Sequence, residues 1–90
     1  MNVQLSEEFI EKYKKANIRI RKHIDEKLSI FRKNHQDLSL NNHLLKREYE
    51  GYRSIDITAD CRAIFEEEVE GGETFAYFII FGTHDELYRK

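Results

Sequence analysis

Residues Phe75 to Phe81 read Phe-Ala-Tyr-Phe-Ile-Ile-Phe, with no charged or amide side chain among them. A strand with one wet face alternates apolar and polar residues, so this run predicts a central strand covered on both sides. Helices should cover one side, and aromatics or a partner the other. Gly82 ends the run and is followed at once by Thr83, His84, Asp85, Glu86, Leu87 and Tyr88. Titratable groups set at the end of a rigid strand have the outline of an active site.

The rest of the chain supplies the partners that such a strand needs. Asn2 to Leu5 alternates enough for a short edge strand. Ser6 followed by Glu7 and Glu8 is a helix start, with a hydroxyl cap and acids in the first turn, and predicts helix one from Ser6 to about Lys15. Ile20, Ile24, Leu28 and Phe31 form one apolar stripe at helical spacing, which predicts a second helix packed on that stripe with its cations in solvent. Asn34 to Asn42, rich in Asn, Asp, Ser and His, reads as a loop. After it the period changes to two: Arg53 to Ile57 alternates, Thr58-Ala59-Asp60 reads as a turn, Arg62 to Phe65 resumes, and Gly71-Gly72 separates Val69 from Phe75. Thr83 can cap a final short helical turn. The expected fold is α+β: a short N-terminal strand, two helices packed on an antiparallel sheet in the order β-α-α-β-β-β, and a C-terminal helical turn. One core is expected to hold Ile24, Leu28, Phe31, Ile55, Phe65 and Ile79.

Ninety residues suit one domain spanning 1–90. No apolar run approaches the roughly 18 residues of a membrane helix, and the N-terminus has neither the cationic nor the apolar segment of a signal peptide, so a cytoplasmic location is expected. The single Cys61 has no internal disulfide partner. The net charge of −2 is unevenly spread. Residues 12–33 carry nine Lys and Arg against Asp25 and Glu26, a net of +7, whereas residues 51–90 carry four against nine acids, a net of −5. A local basic face can bind phosphate whatever the whole-chain charge.

Three groups carry chemistry: His43-Leu44-Leu45-Lys46-Arg47, Gly51 to Arg62, and Gly82 to Tyr88. If the loop before the sheet folds over it, His43, Asp60, Arg62 and His84 can converge at strand ends. They would supply two near-neutral proton carriers, a carboxylate and a phosphate-binding fork. Taken singly, each has a plainer reading. His43 reads as a loop histidine in solvent, Arg62 as a strand-face charge paired with an acid, and Tyr88 as a ring packed on the sheet. The Glu66-Glu67-Glu68 run with Glu70 and Glu73 reads as an exposed hairpin that guards a strand against aggregation. No His-x-x-His, Cys-x-x-Cys or helical i, i+4 ligand pair is present, so no metal is expected.

Together these residues and the order of elements resemble the RelE/ParE superfamily of small bacterial and archaeal toxins, and its YafQ-like branch in particular. The resemblance covers nearly the whole chain and rests on His43-x-Leu45, Gly51-Tyr52-Arg53, Asp60-x-Arg62, Gly82-Thr83-His84 and Leu87-Tyr88. It implies a ribosome-associated mRNA endoribonuclease acting without cofactor or metal, and a cognate antitoxin whose C-terminal segment wraps the toxin. His43, Asp60 and His84 are the catalytic positions so implied, with Lys46, Arg47, Arg53, Arg62 and Tyr88 as RNA or phosphate contacts. Two positions depart from the branch: Asp56 stands where it has a further histidine, and Cys61 where it commonly has an aromatic. The alternative that the same fold allows is a binding protein without nuclease activity, either a degenerate toxin or a topoisomerase inhibitor.

Overall fold

Ser6 joins the first strand to the first helix. Its hydroxyl accepts the Phe9 N–H at 3.0 Å and donates to the Ile79 carbonyl at 2.7 Å, while its own N–H donates to Phe78 O at 2.9 Å. One residue therefore caps helix α1 (Glu7–Lys15) and ties the end of strand β1 (Asn2–Leu5) to the strand beside it. Asn17 does the same local work for α2 (Ile18–Lys33), accepting from Ile20 N at 2.9 Å. The sheet follows as β2 (His43–Leu44), β3 (Arg53–Asp56), β4 (Cys61–Glu70) and β5 (Glu73–Thr83), and α3 (His84–Tyr88) closes the computed structural model, which describes residues 1–88. Arg89 and Lys90, counted above in the charge of the second half, lie outside it.

The strands run in the order β1-β5-β4-β3-β2. The α+β architecture is the expected one, with two additions. β1 joins β5 in parallel, so the sheet is mixed: an alternating pattern reveals a strand but not its direction. β2 pairs only His43 with Ser54 and Leu44 with Arg53, and two residues are too few to show a period. The expected loop at 34–42 also contains a 3-10 turn, Leu38–Leu40, whose Leu40 is fully buried against the helix-side core.

That core lies between the helices and one face of the sheet. Phe9, Ile24, Leu28, Phe31, Ile55, Phe65 and Phe78 are within it. Phe31 meets Phe65 and Phe78 edge-on, with ring centroids 5.1 and 5.3 Å apart. Ile79 does not belong there. Opposite the Ile64–Phe65 step the register slips: Ile64 faces Ile80 and Phe65 faces Phe78, leaving Ile79 as an extra residue on β5. This bulge turns Ile79 and Ile80 together to the opposite face, where they pack on Ile64, Leu45 and Leu87 among Tyr49, Tyr52 and Tyr88. It also accounts for the apolar run of β5: Ala76, Phe78 and Phe81 serve one face, Ile79 and Ile80 the other.

Candidate functional site

Strand register builds the site. Antiparallel pairing of Cys61 with Thr83 and Arg62 with Gly82 sets the start of β4 beside the end of β5. The residues just beyond, Asp60 and His84, must then share one end of the sheet. They do: Ala59, Asp60, Arg62, Thr83, His84 and Asp85 line a single open cleft of about 540 Å³. Cys61, Ala63 and Phe65 point to the helix-side core and Ile64 to the other face, so Arg62 emerges on the tyrosine-lined side.

The 58–60 turn is held by its own side chain. Thr58 Oγ1 accepts the N–H groups of Asp60 at 3.3 Å and Cys61 at 3.1 Å, which leaves the Asp60 carboxylate exposed at the cleft mouth. Arg62 folds back over this turn. Its Nη1 donates to Ala59 O at 2.9 Å and Thr58 O at 3.4 Å, and its Nε lies 3.1 Å from Asp56 Oδ1 on the paired strand. Among the described residues Asp56 Oδ1 makes no aligned hydrogen bond, so the 3.1 Å contact is an ion pair in which the Nε–H is not aimed at the oxygen. Nη2 has no hydrogen-bond partner among the described residues and remains available to an anion in the cleft.

α3 carries His84. Thr83 Oγ1 accepts the Glu86 N–H at 3.2 Å while Glu86 Oε1 accepts the Thr83 N–H at 2.8 Å, a reciprocal cap legible in the sequence as Thr-x-x-Glu. At the other end the Tyr49 hydroxyl donates to Leu87 O at 2.9 Å. The His84 ring lies 4.7 Å from that of Tyr88, and Tyr88 meets Tyr49 edge-on at 5.4 Å. Tyr88 is thus half-buried in a packed stack. Burial raises the Tyr49 phenol, which stays protonated and able to donate.

His43 does not line the cleft. It lies exposed on the edge strand, two strands away from β4, with Nδ1 2.8 Å from Asn41 O. A carbonyl only accepts, so Nδ1 carries the proton and Nε2 is the outward nitrogen. Asn41 adopts a left-handed backbone (φ 49°) and its Nδ2 donates to Asp56 Oδ2 at 3.4 Å. The connection from His43 to the cleft therefore runs through Asn41, Asp56 and Arg62. Asn41 carried no signal beyond its turn-forming type. Lys46 and Arg47 are exposed on the segment after β2, Arg47 at φ 62°, and Arg53 Nε donates to Asn42 Oδ1 at 2.8 Å. These three cations flank the β2–β3 edge rather than the cleft.

Cys61 is buried, and that burial pushes its thiol up, away from the thiolate a nucleophile requires. Among the described residues no three His, Cys, Asp or Glu side chains converge as a metal site, and no helix is long and apolar enough to cross a membrane.

No family sequence model and no curated protein sequence matches the chain. Its structure is similar to solved ones throughout its length. YafQ from E. coli superposes with a TM-score of 0.74 at 20% identity, covering 97% of both chains. The YoeB/ParE toxin from Agrobacterium tumefaciens gives 0.73 at 20% identity over 93% of this chain and 99% of that one. The RelB–RelE antitoxin–toxin complex from Methanococcus jannaschii gives 0.66 at 21% identity, covering 94% of both. The fold is therefore that of the RelE/ParE toxins.

Proposed function

We propose that this chain is a YafQ-like member of the RelE/ParE superfamily: the toxin of a type II toxin–antitoxin pair, cleaving ribosome-bound mRNA in the cleft between the 58–60 turn and α3. The observation that carries the reading is the juxtaposition of Asp60, Arg62 and His84 at one sheet end, on a scaffold shared with those toxins. A base removes the ribose 2′-OH proton, and the 2′-oxygen attacks the adjacent phosphorus. The bond from phosphorus to the 5′-oxygen breaks, and an acid protonates that leaving oxygen. Arg62 Nη2 balances the charge growing on the phosphoryl oxygens. His84, which lines the cleft with Asp60, is the proton-transfer group, Asp60 orients it or exchanges protons beside it, and His43, on the strand edge outside the cleft, is the further catalytic position that the resemblance implies. Lys46, Arg47 and Arg53 hold the backbone, and Tyr88 offers a ring edge to a base. The partner is a cognate antitoxin, as in the RelB–RelE complex.

The 3.1 Å Asp56–Arg62 contact supports a second reading, a toxin-fold protein that binds without cleaving. An arginine already neutralised by a carboxylate is a weaker phosphate ligand. Incubation of programmed ribosomes with the wild type, Arg62→Ala and Asp56→His separates the two. Cleaved mRNA with 2′,3′-cyclic phosphate ends, lost in Arg62→Ala, is the expected outcome. A folded, inactive wild type that gains cleavage in Asp56→His would establish the binding-only reading.

A further inference from the structure

Gly82 has an ordinary negative-side backbone, unlike Gly51, Gly71 and Gly72, whose φ values are 90, 60 and 82°. A side chain there would meet the two side chains that cross the end of the strand. A Cβ at this position would stand 2.8 Å from Lys12 Nζ and 3.0 Å from Glu86 Oε1, so the lysine tip would have to move aside and the glutamate would be tightly packed. What crosses Gly82 is an ion pair between α1 and α3, with Lys12 Nζ 3.4 Å from Glu86 Oε1. The ammonium also lies 5.2 Å from the centroid of the Phe81 ring. The same Glu86 oxygen accepts the Thr83 N–H at 2.8 Å, so one carboxylate both caps α3 and anchors it to α1.

We propose that Lys12 and Glu86 form a strap across Gly82 that positions the His84 imidazole over the cleft, with Glu86 acting as a positioning residue and not as a catalytic one. Glu86 lines the neighbouring groove with Lys12 and Phe81, not the cleft of Asp60 and Arg62. It reaches His84 through the backbone: the cap fixes Thr83, and His84 follows directly as the first residue of α3. A five-residue helix cannot hold its own ends against water, so its direction is set by what grips it. Among the described residues it is gripped by the strap at its N-terminal end, by Tyr49 at Leu87 O and by the buried Leu87 side chain on Leu45 and Ile64, and the His84 ring rests on Tyr88. The Thr83 N–H, and after it the Lys12 charge, hold the Glu86 carboxyl below its ordinary value, so it is ionised when the strap is needed. Side-chain exposures of 33% for Lys12 and 54% for Glu86 make this an orienting device rather than a main source of stability.

As a catalytic device the strap rests on the nuclease reading above, so its test has an arm that needs no activity. The His84 ring protons are observed by NMR in the whole chain for the wild type, Glu86→Ala, Glu86→Gln, Lys12→Met and Lys12→Arg, beside kcat and KM on ribosome-bound mRNA. Glu86→Ala is expected to abolish the ring-current shift that Tyr88 imposes on His84 and to lower kcat tenfold or more, with KM within about twofold. Glu86→Gln keeps a capping acceptor without the charge and falls between, and Lys12→Arg restores what Lys12→Met loses. Unchanged His84 shifts in folded Glu86→Ala and Lys12→Met would overturn the proposal, as would a kcat loss that merely follows the unfolded fraction. A wild type that cleaves nothing would overturn the nuclease reading alone, and the ring shifts would still decide the strap.

Discussion

Phenylalanine fills the helix-covered face of the sheet, and tyrosine the face that carries the cleft. Phe9, Phe31, Phe65 and Phe78 are fully buried on the first, while Tyr49, Tyr52 and Tyr88 are only partly covered around Ile64, Ile79 and Ile80 on the second. A phenyl ring has no polar atom to satisfy and can close a dry core. A phenol packs by its ring and keeps a hydroxyl for water or for the backbone, as Tyr49 does at Leu87 O. Asp56, Arg62 and the His84–Tyr88 stack all lie on the tyrosine side. This small fold thus concentrates its fully buried rings on one face and leaves the other more open to solvent.

Truncation should show the difference most strongly. Phe31→Ala and Phe78→Ala are expected to cost about 3–5 kcal/mol in denaturant unfolding, from lost transfer energy plus an unfilled cavity. Ile79→Ala, partly in water already, should cost about 1–2 kcal/mol. Equal shifts of the midpoint would erase the distinction between the faces. Tyr49→Phe is the finer probe. It leaves the ring and removes one hydrogen bond to Leu87 O, for about 1 kcal/mol, and should loosen α3 enough to broaden the His84 and Tyr88 ring resonances. The same substitution would leave those resonances sharp if packing alone held the helix.

The smallest effect is electrostatic. Glu86 has a folded value below its ordinary 4.5, so its contribution is present above pH 4.5 and is lost as pH falls further, through the lowered value. With the carboxylate half-exposed, water screens the pair and the contribution stays below about 1 kcal/mol. Unfolding curves of the wild type and Glu86→Gln should therefore converge on acidification below that range and stay parallel above it. Curves that diverge in acid would show the carboxylate to be favoured in its protonated form.

Much of this was legible in the residues. Ser6 and the Ile24, Leu28 and Phe31 stripe announced the helices, and Arg53 to Ile57 announced a strand, because each rests on local capping or periodicity. Ile79 was not placed correctly, because a bulge is a property of two paired strands and leaves no mark on one. The nearness of Asp60 to His84 could be anticipated from hairpin order, whereas the separation of His43 from them depends on an edge strand of two residues. Asn41 and Lys12 were invisible for a related reason: each matters only through a contact made across the chain, with Asp56 or with Glu86.

The proposed RNA cleavage through His84 in the tyrosine-face cleft is separable from the stability that the phenylalanine face supplies. This claim is tested most directly by measuring mRNA cleavage on ribosomes and the denaturant midpoint on the same preparations of wild type and His84→Gln. His84 is exposed on α3, so the midpoint should stay within error, while cleavage falls roughly 100-fold or more. Full cleavage by a normally folded His84→Gln would contradict the claim.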